Sequence, residues 1–388
     1  MNTIRKQHVD IVLGTLFLVM LRLPVLVLGR LLKRDHSPIP KGDILVIKMQ
    51  GGGSLVLAFP ALLGIRNRYR NCRLVLLTTP SVLPFAESLD IFDRIICVRD
   101  RGLTSLIFSG IMAWWKTLKF DTVIDLEVYS RLTTVFSVLT LARNRIGFYL
   151  ESTFWRRGLH THLIFFNRYS GVHHFYNKVA QLISAPVETC PLSAEHLRRN
   201  LPDYSKSSRV RISIGHACSD FGAERMLTAM QWVEVFRARK VTSEEIVFLG
   251  APSDQRGAEE IIYASRPHFP HAEFINKCGL LNLKESVACI DSSDEFWGID
   301  SGLLHFARLL GKKNISFWGP TDPLTRLQDF NDVITEVYYQ KIPCSPCLHV
   351  AETPPCEGEN ICIRKIFKKE DLNVINHKNI TINKQISE

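Results

Sequence analysis

Long apolar runs are scarce in this sequence. Only one stretch, beginning at residue 11, is long and apolar enough to enter a bilayer, which excludes a multi-span membrane protein. Low-complexity tracts and short internal repeats are absent. With 46% hydrophobic and 22% charged residues, wholesale disorder is excluded as well. Acidic side chains are in deficit: 38 Asp and Glu stand against 48 Lys and Arg, a formal charge of +10. That surplus is not placed where a nucleic-acid groove needs it. Residues 1–42 carry +5 and residues 364–388 carry +3, which leaves +2 for the body. The basicity belongs to the two ends, and anionic lipid headgroups rather than nucleic acid are its expected partner.

The single apolar run holds thirteen Leu, Ile, Val or Phe residues between Ile11 and Leu28, interrupted by Arg22 and Pro24. At about −0.3 to −0.6 kcal/mol each, these outweigh the roughly 2.5–3.5 kcal/mol cost of a central arginine. No small-x-small site follows the run, which argues against a cleaved signal peptide. The expectation is a helix that spans the bilayer or lies within one leaflet; a buried core helix is the alternative. For a spanning helix, Arg30, Lys33, Arg34 and Lys41 outnumber Arg5 and Lys6 and keep the body on the cytoplasmic side.

At about 100–200 residues per domain, 388 residues suggest two domains. HSPIPKGD (36–43) reads as a linker and ILVIKM (44–49) as a buried strand. RLVLLTT (73–79), RIICV (94–98) and TVIDLE (122–127) are further short strands, with helices over 55–69, 104–118 and 130–142. The rhythm restarts after a turn-rich stretch near 186–208. RVRISIG (209–215), EIVFLG (245–250), AEFI (272–275), EFWGI (295–299) and NISFWG (314–319) read as strands, with a helix over Arg225–Lys240 and another from near Asp254. Strands alternating with helices predict two successive α/β units with parallel sheets, which bind ligands at the carboxyl ends of their strands. The expected division is 1–42 apolar helix and linker, 43–200 first unit, 208–340 second unit, and 341–388 cysteine-rich segment and basic tail.

The first strand runs into Gln50-Gly51-Gly52-Gly53-Ser54, where glycines permit close backbone approach and a helix start offers N–H groups to an anion. Neither a Walker pattern nor a G-x-G-x-x-G spacing is present, and a merely tight turn explains the run equally well. In the second unit a strand ends at Asp300-Ser301-Gly302 and a helix begins, with His305 on its first turn. The next strand ends at Gly319-Pro320-Thr321-Asp322-Pro323, a second loop on the same sheet edge. Such a pair can cradle a diphosphate; the plainer reading of each loop is a helix cap or a turn.

The run Asp300-Ser301-Gly302-Leu303-Leu304-His305, followed by Phe317-Trp318-Gly319-Pro320-Thr321-Asp322-Pro323, resembles the bacterial family 9 glycosyltransferases, the heptosyltransferases of lipopolysaccharide core assembly and their relatives. ILVIKMQGGGSLVLAFPAL, FDTVIDLEVYSR (120–131), RIGF (145–148), IGHA (214–217) and GAPSD (250–254) agree with it in order, over about residues 43–363. The resemblance implies two Rossmann-like parallel-sheet domains facing across a cleft, the GT-B arrangement. It also implies an inverting, metal-independent transfer of a heptose or related sugar, with the nucleoside-diphosphate sugar as substrate and no cofactor. It assigns donor binding to Arg225, Asp254, Asp300, Ser301, Gly302 and His305; Gly319 and Thr321 of the adjacent loop are expected to join them, and Gly52 and Gly53 are acceptor or loop candidates. The implied acceptor is a lipopolysaccharide-core, polysaccharide or lipid-linked saccharide, which places the enzyme at the cytoplasmic face of the inner membrane.

One position departs from the family. Its first glycine loop carries Gly-Asp, the aspartate being a proposed base, whereas this chain has Gly53-Ser54. A serine hydroxyl alone is a poor general base near neutral pH. Asp125 and Glu127, at the end of the fourth strand, are the substitute carboxylates; a catalytically inactive nucleotide-sugar-binding or assembly protein is the alternative. Of ten cysteines, Cys344, Cys347, Cys356 and Cys362 crowd the end. Reduced thiols are expected in the cytoplasm; a Cys₄ zinc site, with His349 as a substitute ligand, and a disulfide are the alternatives.

Overall fold

The computed structural model describes residues 3–364 and 374–376, apart from 101, 219–221, 329–332, 349–353 and 358, with backbone alone at 3–7, 223 and 374–376. His349 and most of the basic tail therefore lie outside the described residues. The chain divides into two compact units, Met1–Thr189 and Cys190–Glu388.

The first unit contains α1 (Thr3–Leu32), β1 (Ile44–Ile47), α2 (Gly52–Arg68), β2 (Leu74–Thr78), α3 (Leu83–Leu89), β3 (Arg94–Cys97), α4 (Leu103–Thr117), β4 (Thr122–Asp125), α5 (Arg131–Leu139), β5 (Asn144–Tyr149), β6 (His162–Phe165) and α6 (Val172–Leu182). Its six strands are parallel in the order β3-β2-β1-β4-β5-β6. Every residue of β1, β2 and β4 is buried, as expected where helices cover both faces of a parallel sheet. On one face Leu45, Ile47, Val75, Leu77 and Val123 pack with Ala113 of α4 and Phe136 of α5. Within α2 every residue from Leu55 to Ile65 is buried. A Cβ at Gly64 would overlap the carbonyl of Pro186, so only glycine lets that segment cross α2 there.

The second unit contains α7 (Cys190–Asn200), β7 (Arg211–Gly215), α8 (Ala229–Ala238), β8 (Glu245–Phe248), α9 (Gln255–Ser265), β9 (Glu273–Asn276), α10 (Leu283–Ser292), β10 (Glu295–Ile299), α11 (Gly302–Leu309), β11 (Lys313–Trp318), α12 (Pro323–Arg326), β12 (Thr335–Tyr339), α13 (Ile361–Arg364) and β13 (Val374–Asn376). The order is β13-β12-β11-β10-β7-β8-β9, parallel except for β13. Trp232 and Phe236 of α8 pack with Phe274, Trp297 and Phe317 in its core.

The unit boundary falls at 189/190 rather than near 200. Arg198 of α7 pairs with Asp291 and donates to the Leu310 carbonyl at 2.7 Å, tying α7 to α10 and to the end of α11. The expected helix over Arg225–Lys240 is α8 alone. Thr228 caps it by accepting from Gln231 N, and Arg225 stands before it in a short 3-10 turn.

Candidate donor and acceptor sites

Leaving out β13, both sheets share one strand order, in which successive strands are added first on one side of the unit's first strand and then on the other. Ligands of open parallel sheets bind outside the carboxyl ends of strands at that switch point. In the second unit it lies between β7 and β10.

Asp300 and Ser301 follow β10, and Ser301 is the residue that begins α11 without a side-chain cap bond. Its buried hydroxyl has no hydrogen-bond partner, and neither has Nδ1 of buried His305 one turn on. Buried polar atoms are rarely left unsatisfied, so two at a helix amino terminus mark a place built for a polar ligand. Asp300 is buried beside them. Arg225 Nη1 donates to the Asp300 carbonyl at 2.6 Å and lies 3.4 Å from its Oδ2. Burial pushes the Asp300 carboxyl up, but Arg225, then Arg326 and His305, outweigh it and hold it below the ordinary carboxylate value. Burial drives the His305 imidazole down to about 4, against the pull of Asp300 3.7 Å away. The imidazole is therefore neutral near pH 7.

Gly319 and Thr321 lie on the adjacent loop after β11, both buried. A Cβ on Gly319 would press against Cys362 Sγ and Ile363, so this glycine admits the cysteine-rich segment behind the loop. Cys347 N and Leu348 N donate to the Pro320 carbonyl at 3.1 and 2.9 Å, and Ser345 Oγ donates to that of Gly319. Cys344, Cys347, Cys356 and Cys362 line one small pocket there, all as free thiols. Among the described residues no group of three or more His, Cys, Asp or Glu is arranged to hold a metal ion.

Asp254 closes the turn after β8. Its Oδ2 accepts from Ala251 N at 2.8 Å, and its carbonyl lies 3.2 Å from His216 Nε2. His216, at the end of β7, is buried with Nδ1 unpartnered, and burial lowers its pKa. His216 and Arg326 extend the site that the sequence outlined. The available signals were a histidine directly after an apolar strand and a basic residue closing the short helix after the second loop.

In the first unit the switch point lies between β1 and β4, and Glu127 bridges it. Its Oε1 accepts from Lys48 Nζ at 3.0 Å, Met49 N at 2.7 Å and Gln50 N at 3.0 Å. Lys48 is buried; burial lowers its pKa, but Glu127, Tyr176 and Asp125 outweigh it and hold the ammonium above the ordinary lysine value. Gly51 adopts φ 76° as the residue preceding α2, so Gly52, Gly53 and Ser54 form the first helical turn rather than an open loop. A Cβ on Gly52 would overlap the Phe85 ring.

Asp125, the other carboxylate that the sequence offers as a base, is not placed to act as one: its exposure is 0%, and its oxygens accept from Glu127 N at 3.0 Å, Thr133 Oγ1 at 3.0 Å and Arg156 Nη2 at 3.2 Å. Burial raises its pKa to about 6 despite Arg156. An acceptor hydroxyl has no approach to a carboxylate enclosed in this way. Its role is to join β4, α5 and Arg156.

Two α/β units of this strand order define the fold of GT-B glycosyltransferases. The sequence model of glycosyltransferase family 9 (heptosyltransferase) matches residues 116–356, and the chain belongs to that family. No curated protein sequence matches it. Solved structures share the fold at low identity. A family 9 glycosyltransferase from Veillonella parvula DSM 2008 is 17% identical, with TM-score 0.60 over 78% of this chain and 87% of its own. The ADP-heptose lipopolysaccharide heptosyltransferase II of E. coli is 16% identical, with TM-score 0.59 over 82% and 97%. E. coli heptosyltransferase WaaC with ADP is 16% identical, with TM-score 0.57 over 73% and 90%.

Proposed function

We propose that this glycosyltransferase moves a heptose or related sugar from a nucleoside-diphosphate donor to a saccharide or lipid-linked acceptor of the cell envelope, with inversion at the anomeric carbon. The observation that carries the reading is the pair of unpartnered buried atoms at the start of α11, Ser301 Oγ and His305 Nδ1, beside Arg225 and an ionised Asp300. In the reaction the acceptor oxygen attacks the anomeric carbon as the bond from that carbon to the phosphate oxygen breaks. The acceptor proton passes to a base, and the nucleoside diphosphate leaves with the bonding electron pair. The α11 amino terminus, Arg225 and Arg326 stabilise the charge that accumulates on it. These groups supply positive charge of the kind a divalent cation would bring, so we assign no metal and no cofactor to the step.

Glu127 takes the base role in this reading, with Ser54, Gly52 and Gly53 shaping the acceptor loop. Its side chain keeps partial exposure, at 15%, where Asp125 has none. Asp254 is assigned to the nucleoside and Thr321 with Gly319 to the diphosphate loop. His8–Leu32 is long and apolar enough to enter a membrane, which supports action at a membrane surface, and in this reading that surface is the cytoplasmic face of the inner membrane.

ADP is the first nucleotide to try, because WaaC was solved with it. ADP release from ADP-heptose on addition of a lipid-linked acceptor tests the proposal. Glu127→Gln should lower turnover about 10²–10⁴-fold with donor affinity unchanged. The specific observation behind a second reading is Ser54, which stands where the family has aspartate. It predicts nucleotide binding without turnover on any acceptor, membranes included.

A further inference from the structure

Helix α4 carries its hydrophobic side chains on the wrong face for a soluble protein. Its inner positions are Leu106, Gly110, Ala113 and Thr117, of which Ala113 and Thr117 are buried. Its outer positions include Leu103, Ile107, Phe108, Ile111, Met112 and Trp115, all exposed, Phe108 at 71% and Trp115 at 70%. A surface helix normally shows the reverse pattern. A contiguous exposed apolar stripe of this kind marks a docking surface.

The occupant is indicated by α1. Gly14, Leu18, Leu21 and Val25 form one stripe of α1 that faces α5, where Leu18 packs with Val135, Val138 and Leu159. A Cβ on Gly14 would overlap that of Arg131, so the two helices touch along their backbones. Asp10 caps α5, accepting from Ser130 Oγ at 2.6 Å, Arg131 N at 2.9 Å and Leu132 N at 3.0 Å. Helix α1 is thus bound sideways to the first unit, and a helix so bound cannot stand alone across a bilayer. Helices α4 and α5 cover the same sheet face, and Trp114 Nε1 donates to the Leu139 carbonyl at the end of α5. Both apolar helices lead into the amino-terminal ends of the neighbouring central strands β1 and β4, where Lys41 N donates to Asp121 Oδ2 at 2.8 Å. Arg30, Lys33 and Arg34 at the end of α1 and Lys116 and Lys119 at the end of α4 are exposed, and no acidic residue occurs in α4 or between Ile11 and Leu32. Arg22 lies next to the docked stripe, four residues after Leu18, where it can snorkel to headgroups instead of crossing hydrocarbon.

We propose that α1 and α4 together form an in-plane membrane-insertion face: both helices lie in the headgroup–acyl boundary of one leaflet, their basic carboxyl ends on anionic headgroups. This rests on the membrane reading of α1 and adds α4 as a second, independent contact. The test is flotation of the full-length chain with mixed phosphatidylcholine–phosphatidylglycerol vesicles. Phe108→Glu combined with Trp115→Glu should weaken partition at least about tenfold, with an unchanged thermal midpoint because both side chains are exposed. Brominated acyl chains should quench wild-type fluorescence more than that of Trp115→Phe. An amino-terminal tag should be removed by protease added outside sealed vesicles. Wild-type flotation with an unimpaired double variant would overturn the role of α4 and leave the α1 reading standing. A protected tag would overturn the in-plane geometry. A variant that changes a dimer to a monomer without losing flotation would assign the face to a second copy and overturn the proposal. No flotation of the wild type would overturn the membrane reading itself.

Discussion

Gly52 meets a demand that its backbone conformation does not reveal. Its missing Cβ leaves room for the Phe85 ring, so Gly52→Ala should destabilise the chain by about 1–3 kcal/mol in denaturant unfolding, and Phe85→Ala added to it should remove the clash. Asp125 and Glu127, two residues apart, differ in setting: Asp125 is enclosed, whereas Glu127, the proposed base, keeps partial exposure. Asp125→Asn should lower the thermal midpoint, because it loosens the pairing of buried Arg156, whereas Glu127→Gln should act on turnover. The buried histidines weaken the fold at acid pH, against Asp125, whose raised pKa works in the opposite direction. His160, His216 and His305 all have pKa values depressed first by burial, that of His305 to about 4. Between that value and the ordinary 6.5, the unfolded chain binds protons that the folded chain does not. Their contribution to stability is full above about pH 6.5 and is lost as the pH falls toward 4. The thermal midpoint should therefore fall on moving from about pH 7 to about pH 5, and fall less in His305→Asn. An equal fall in both would show that His305 does not contribute.

At the scale of elements, Gly14 is the residue on which the seating of α1 depends. Gly14→Leu should separate α1 from α5 and raise protease sensitivity in the first 40 or so residues, while nucleotide affinity in the second unit stays unchanged. The stripe that seats α1 was not legible in the sequence, because every face of that helix is apolar and periodicity carries no contrast. The central strands were legible for the opposite reason: β1, β2, β4 and β10 are short apolar runs buried on both faces. β5, β6 and β12 escaped, since NRIGFY, HLIF and TEVYY mix polar residues with apolar ones toward the sheet edges. The cluster at Asp300, Ser301 and His305 was visible as a motif because its members are neighbours in the chain. The Lys48–Glu127 pair was not, for 79 residues separate its partners. Arg326 gained meaning only when the fold brought α12 beside Asp300.

At the scale of the whole molecule, two units repeat one strand order with different equipment at their switch points. The first places a lysine–glutamate pair and a glycine-started helix between β1 and β4. The second places unpartnered Ser301 and His305 atoms, Arg225 and Asp300 beside β10. The second set lies within residues 116–356, the part of the chain that the glycosyltransferase family 9 model matches. The surplus of positive charge sits largely apart from this machinery, part of it at the ends of α1 and α4. We assign the β10–α11 edge to a nucleoside diphosphate, and calorimetric titration of ADP and UDP into the full-length protein tests that assignment most directly. Wild-type protein should bind one of them, and Ser301→Ala and Arg225→Ala should each weaken that binding about tenfold or more, since each removes a polar contact to a charged ligand. Wild-type affinity in both variants, or no binding of either nucleotide by the folded wild-type chain, would contradict it.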